Sequence, residues 1–241
     1  MINNSDLDNI LRVTKEFWKT HVNDKAFREI ASGKEIGHRI ADYVDETTSQ
    51  LLAGKFRTGQ QKDKAGRNRT RSMGDIWIFS NKMFNPVNVK AGLWGVSTGG
   101  QPNLVSLSRV LSLMLSDTID SYYLLIVKMK ISNDESGKIT KIEPRVYLVD
   151  MLDHLEYVTF NSGPGQLMLK ERQFNEFMES GQSPDPKSIR EKIAIMIDLR
   201  EEGDKKLFQD RKKNIDKMRK SAEKYMKSDS HDIDQGELNI G

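Results

Sequence analysis

Apolar positions along this chain recur with two different periods. Over residues 5–23, Leu7, Ile10, Leu11, Phe17 and Trp18 follow three- and four-residue spacing, which predicts an amphipathic helix. A second helix is predicted from just after Gly33 to about Ala53. It carries Ile36, Ile40, Val44, Thr47 and Leu51 on one side and Glu35, Asp42 and Glu46 on another. At Asp75 the period drops to two. Asp75, Trp77 and Phe79 alternate with Ile76 and Ile78, then Asn88 and Lys90 alternate with Val87 and Val89, so two strands joined by a polar loop are expected. A turn centred on Lys82 and Met83 sets Asp75 opposite Lys90 and diagonal to Asn88, which brings three polar side chains to one end of the hairpin. Beyond it, Gln101 to Leu115 reads as a helix, Tyr122 to Ile131 as a buried strand, and Arg145 to Asn161 as one or two more strands.

The C-terminal third follows a different pattern. Ser183-Pro-Asp-Pro186 interrupts the chain, and Lys187 to Lys227 then reads as a charged helix. Phe208, Ile215, Met218, Ala222 and Tyr225 give that helix one narrow apolar seam. The seam is expected to pack on the core, with pairing to a second subunit or flanking of DNA as the alternatives. The division is therefore a core at 1–182, a helical extension at 183–228 and a frayed tail at 229–241.

Composition narrows the chemistry. The chain of 241 residues has no cysteine, which excludes disulfides and thiolate metal sites. Its histidines, His21, His38, His154 and His231, are too dispersed for a zinc cluster. There is no run of 18 apolar residues and no signal-peptide pattern, so the expectation is a cytoplasmic protein without a membrane partner. The net charge of +3 is modest, and its distribution matters more. Lys55, Arg57, Lys62, Lys64, Arg67, Arg69 and Arg71 crowd one polar stretch against a single acid, Asp63. This stretch runs directly into Asp75, and a basic arm there suits the phosphates of a nucleic acid.

Gly74-Asp75 followed by Asn88-Val89-Lys90 resembles the PD-(D/E)XK nucleases, and within them the type II restriction endonucleases. Two positions depart from the family pattern: Gly74 stands for the signature proline and Asn88 for the second acid. The order downstream extends the resemblance, with a Gly-rich loop, Gln101-Pro-Asn103, an amphipathic helix and an apolar strand. The resemblance implies an α/β fold, a restriction-endonuclease-like core in which a central mixed β-sheet is flanked by helices. It implies Mg²⁺ held by Asp75, the Asn88 side-chain oxygen and the Val89 carbonyl, with Glu35 as a further catalytic acid. Mg²⁺ is a hard, oxygen-seeking ion that keeps water ligands, one of which can lose a proton. Lys90 would orient or deprotonate that water and stabilise charge on the phosphate. Groove reading needs polar side chains held rigidly, for which Asn161, Ser162 and Gln166 of the Asn161-Ser-Gly-Pro-Gly-Gln166 segment are candidates, with Lys170, Gln101 and Asn103 nearby. The expected activity is Mg²⁺-dependent cleavage of double-stranded DNA at a short specific site, by a bacterial enzyme able to form a homodimer, with a cognate DNA methyltransferase as its functional companion. A DNA-binding protein without catalysis and a repair or structure-specific nuclease are the alternatives.

Overall fold

Asn3 opens the first helix by accepting the Asp6 backbone N–H on its Oδ1 at 2.8 Å, a side-chain cap for one of the four unpaired donors of a helix start. This computed structural model describes residues 1–31, 36–59, 74–94, 102–182 and 184–232, without the side chains of 36–38 and 228–232. Helix α1 (Asn4–His21) buries Ile10, Thr14 and Trp18. A short α2 (Lys25–Ala31), not foreseen from the spacing, buries Phe27 and Ala31. In α3 (Ile36–Lys55) the buried row is Ile40, Val44, Thr48 and Leu52. The expected row ended on Thr47 and Leu51. The Trp18 indole N–H donates to the Thr48 hydroxyl at 3.0 Å, which makes Thr48 the inward residue.

Eight strands follow in chain order: β1 (Thr58–Gly59), β2 (Ile76–Ser80), β3 (Met83–Leu93), β4 (Asn103–Ser106), β5 (Tyr123–Asn133), β6 (Ile139–Asp150), β7 (Val158–Asn161) and β8 (Gln166–Leu169). Among the described residues they make a five-stranded sheet ordered β1-β2-β3-β5-β6 and a three-stranded sheet ordered β4-β8-β7. In the larger sheet β3 and β5 are parallel and the other pairs antiparallel, so the central sheet is mixed. Helix α4 (Leu107–Leu115) lies on the crossover between the two parallel strands, as parallel neighbours require.

Alternation assigns the two sheet faces. Ile76, Ile78, Val87, Val89, Leu125 and Val127 form one core with α1, α2 and α3. Trp77, Leu124 and Ile126 form another with Leu107, Val110 and Met114 of α4 and with the smaller sheet. The chain is thus α/β, with helices on both faces of a mixed sheet.

One predicted helix is in part a strand. Residues 103–106 pair with β8, Asn103 standing opposite Met168, and the helix begins only at Leu107. Leu104, Val105 and Leu107 suit either period, and tertiary contact decides: the Leu104 carbonyl accepts the Tyr122 hydroxyl at 3.1 Å.

Helix α5 (Glu171–Ser180) ends at Gly181, whose φ of 69° is the left-handed stop glycine permits. Helix α6 (Ile189–Asp232) continues past the expected end at Lys227, into the residues expected to fray. It is pinned to the body by Lys192, 2% exposed, whose Nζ lies 3.1 Å from Asp150 and 2.9 Å from Asp153. Past Leu207 its side chains are exposed through Lys227, so the seam does not pack on the core. Among the described residues no helix is long and apolar enough to cross a membrane.

Candidate active site

The β2–β3 hairpin turns on Asn81 and Lys82, both left-handed with φ of 49° and 65°. This two-residue geometry matches the twist of the flanking strands. Ser80 therefore pairs with Met83 and Ile76 with Val87. The turn lies one residue earlier than the expected Lys82–Met83 centre. Each partner on β3 consequently falls two residues earlier, and Asp75 comes beside Asn88 and Val89 instead of opposite Lys90. The Val89 backbone N–H donates to Asp75 Oδ2 at 2.7 Å. In an extended strand the N–H and C=O of one residue leave on the same edge. The Val89 carbonyl accordingly faces the side from which Asp75 approaches.

Gly74 explains one departure from the family pattern. A Cβ built there would stand 2.9 Å from the Val87 carbonyl oxygen and 3.0 Å from its nitrogen. Backbone meets backbone at that point, which leaves no room for a proline ring.

Asn88 is 7% exposed, and its Oδ1 has no hydrogen-bond partner among the described residues. A buried amide oxygen without a partner costs free energy unless something comes to it. Lys90, two residues on and half-buried, leaves the same face of β3.

The structure adds two residues that the sequence reading passed over. Asp45 of α3, partly buried, has its pKa pushed up to about 6, first by loss of hydration, then by the charges of Asp75 and Asp42, against the pull of Lys90. Asp75 remains accessible to solvent, yet desolvation still raises its pKa, opposed by the Val89 N–H and by Lys90. Tyr122, fully buried just before β5, has its hydroxyl pushed well above the usual phenol range by burial and by Asp75, while Asn88 acts in the opposite sense. The Asp75 charge thus acts on both Asp45 and Tyr122, Lys90 acts on both carboxylates, and Asn88 acts on Tyr122. Asp45 had a signal, since it borders the buried Val44–Thr48 row whereas Asp42 and Glu46 point to water. Tyr122 had none.

Among the described residues no group of three or more His, Cys, Asp or Glu forms a metal cluster. The donors present are two carboxylates, an orphan amide oxygen and a backbone carbonyl. That all-oxygen set fits a hard cation which keeps several waters, as Mg²⁺ does.

The other predicted residues are dispersed. Glu35, Lys62, Lys64, Arg67, Arg69, Arg71 and Gln101 lie outside the described residues. Arg57 stacks its guanidinium 4.1 Å over the Phe79 ring at the sheet edge. Asn103 is exposed at the start of β4, an outer strand of the smaller sheet. Asn161 to Gln166 form the β7–β8 turn, closed by Asn161 Oδ1 accepting the Gly163 N–H at 3.2 Å. Ser162 sits against α6, its Oγ 3.1 Å from where a Cβ on Gly203 would be, and both it and Gln166 keep a buried side-chain oxygen without a partner among the described residues. Lys170 spends its Nζ on the Glu156 carbonyl at 2.8 Å. The structure brings Asp75, Asn88, Val89 and Lys90 together and sets this turn apart, beside α6. No protein-family model matches the chain, and no curated protein matches it significantly.

Proposed function

We propose that this chain is a Mg²⁺-dependent nuclease of the restriction-endonuclease type, hydrolysing phosphodiester bonds of double-stranded DNA at a short specific sequence. The observation that carries the reading is that Asp45, Asp75 and Lys90 lie close enough for their charges to act on one another, while Asn88, next to Val89 on β3, keeps a buried Oδ1 without a partner among the described residues. An all-oxygen pocket beside a lysine suits phosphodiester hydrolysis and offers little to thiol, radical or acyl-transfer chemistry.

Asp75, Asp45, the Asn88 side-chain oxygen and the Val89 carbonyl would hold the cation. When bound, Mg²⁺ supplies a water of lowered pKa and a counter-charge for the phosphate. Asp75 is held in place by the Val89 N–H, which fixes one carboxylate oxygen and leaves the other for the site. Lys90 would act in one of two forms: as the ammonium it stabilises charge developing on the phosphate, and as the neutral amine it takes the proton of the attacking water. Asn88 contributes an oxygen without a charge, so the second negative charge falls to Asp45 from the neighbouring helix. The basic stretch that ends just before Gly74 would bind the phosphate backbone, and the Asn161–Gln166 turn remains the candidate for reading bases.

The test is incubation of the full chain with phage DNA and Mg²⁺, followed by sequencing of the ends. Discrete fragments with a common end sequence are expected. Lys90→Ala should lower cleavage about 10²- to 10⁴-fold, the range for a positioned acid–base group, while DNA retention in a gel shift stays within a few-fold. A chain that binds duplex DNA but cuts nothing with any divalent cation would favour the non-catalytic reading, for which the neutral Asn88 speaks. Wild-type turnover by Lys90→Ala would refute the site assignment.

A further inference from the structure

Strand β6 is the outer strand of the five-stranded sheet and, among the described residues, pairs with β5 alone. One hydrogen bond on the far side of β5 fixes which of its backbone groups point outward. The Trp94 backbone N–H donates to the Met129 carbonyl at 2.9 Å, which turns the Met129 backbone towards β3. Pro144, the partner of Met129 on β6, therefore belongs to a non-hydrogen-bonded pair and faces away from the sheet. Proline, with no N–H to give, is tolerated at such an edge position. Ile142 and Val146, two residues to either side, turn their N–H and C=O groups the same way.

That edge is one wall of a groove of about 680 Å³, and the other wall is α1, the turn after it and α2. Val22, Ile142 and Val146, all buried, close its floor. The rim is cationic on both faces of the sheet. Lys15 and Lys19 of α1 and Arg28 of α2 stand on one side, Lys141 and Arg145 of β6 on the other. Among the described residues Glu143 is the one acid in the lining, and Lys141 pairs with it at 2.7 Å. Lys15 and Lys19 are exposed, with no ion pair or hydrogen bond among the described residues. Lysine and proline on an edge strand also keep other edges away. That protection needs charge on the strand alone, whereas three of these five cations come from helices across the groove.

We propose that the β6 edge is a docking site for an acidic segment of another protein, which adds to the sheet as an extended strand. Edge and rim together choose this occupant. Side chains of an added strand alternate between the two sides of the sheet, so acids at either parity meet cations. A nucleic-acid backbone also suits the cations, but its phosphate oxygens are acceptors and would lie against the carbonyls of Ile142, Pro144 and Val146. A peptide brings donors and acceptors alike. A second copy of this chain, pairing β6 with β6, would set the same cations against one another. The site goes beyond the nuclease reading and uses none of its residues.

The probe is a fluorescein-labelled peptide of alternating Glu and Val, about seven residues long, to span Ile142 to Val146 with one residue over at each end. Fluorescence anisotropy with the full chain should show saturable binding with a Kd below about 1 mM, and amide exchange should slow at Ile142 and Val146. Lys15→Glu combined with Lys19→Glu should weaken binding about 5- to 30-fold at an unchanged melting temperature. The same peptide methylated on every backbone nitrogen keeps its charge but cannot pair, and should not bind. The proposal is overturned if the unmodified peptide does not bind, if the methylated one binds equally, or if the double substitution leaves the affinity unmoved. Unchanged exchange at both amides does the same. So does a single-stranded oligonucleotide that displaces the peptide and loses its own binding in the double variant, which would make the groove a nucleic-acid site. DNA cleavage enters none of these readouts, so their failure leaves the nuclease proposal standing.

Discussion

Ionised, Asp45 opposes the fold it belongs to. Its pKa is pushed up to about 6 from 3.8 by burial and by Asp75, so the native state resists losing that proton more than the unfolded chain does. The stabilising contribution is complete below pH 3.8 and is lost as pH rises through 6. Asp45→Asn should then raise stability at pH 8 by about 1–2 kcal/mol, after allowance for solvent screening at a partly exposed site, and change it little near pH 3.5. Urea unfolding at both values checks this, and an equal effect at the two would remove Asp45 from the charged cluster. On the proposed nuclease reading the same variant should also cleave more slowly, since a site that concentrates negative charge gives up stability for chemistry. Asp75, Asn88 and Lys90 were legible in the sequence because strand alternation places them on neighbouring strands. Asp45 joins them through the packing of α3 on β3; its place beside the buried Val44–Thr48 row marks it on the helix, but that pattern does not say which strand it meets.

Within the β2–β3 hairpin, Gly74 is the element-level constraint. A methyl group there meets the Val87 backbone at 2.9 Å, and backbone cannot swing aside as a side chain can. Gly74→Ala should cost about 1–3 kcal/mol, the range for forced overpacking, and should displace Asp75 from the Val89 N–H. A denaturant midpoint matching wild type would mean that the strands separate freely at that end. Period alone found this hairpin, α1 and α3. It misplaced the turn by one residue, because Asn81 and Lys82 are not a glycine-marked pair and take left-handed φ through the demands of strand twist. It also merged β4 with α4, since Leu104, Val105 and Leu107 satisfy both periods and only pairing with β8 separates them. The smaller sheet was hidden for the same reason, its strands being four residues each.

At the scale of the molecule, Lys192 joins α6 to the sheet through Asp150 and Asp153, and Asp150 in turn accepts the Tyr122 backbone N–H at 3.0 Å. Lys192→Ala leaves two carboxylates without their cation and should cost about 3–5 kcal/mol. Replacing all three, with Met at 192 and Asn at 150 and 153, should recover most of that loss. If thermal melts show the triple variant as weak as the single one, the triad holds the fold by more than charge balance. The helical extension was legible as a helix, but its departure from the body was not, because a narrow seam on a charged helix reads the same whether or not the core covers it. The parallel pairing of β3 with β5 also sets a timetable. A hairpin such as β2–β3 closes in about 1–10 μs, whereas β5 can add to it only after residues 94–122 have been made. At about 5–20 residues per second, Tyr122 follows Lys90 out of the ribosome by roughly 2–6 s. Throughout that interval the β5-facing edge of β3 is bare, an open template for pairing with a neighbouring nascent chain. A charged residue on that strand, such as Lys90, disfavours such pairing during synthesis.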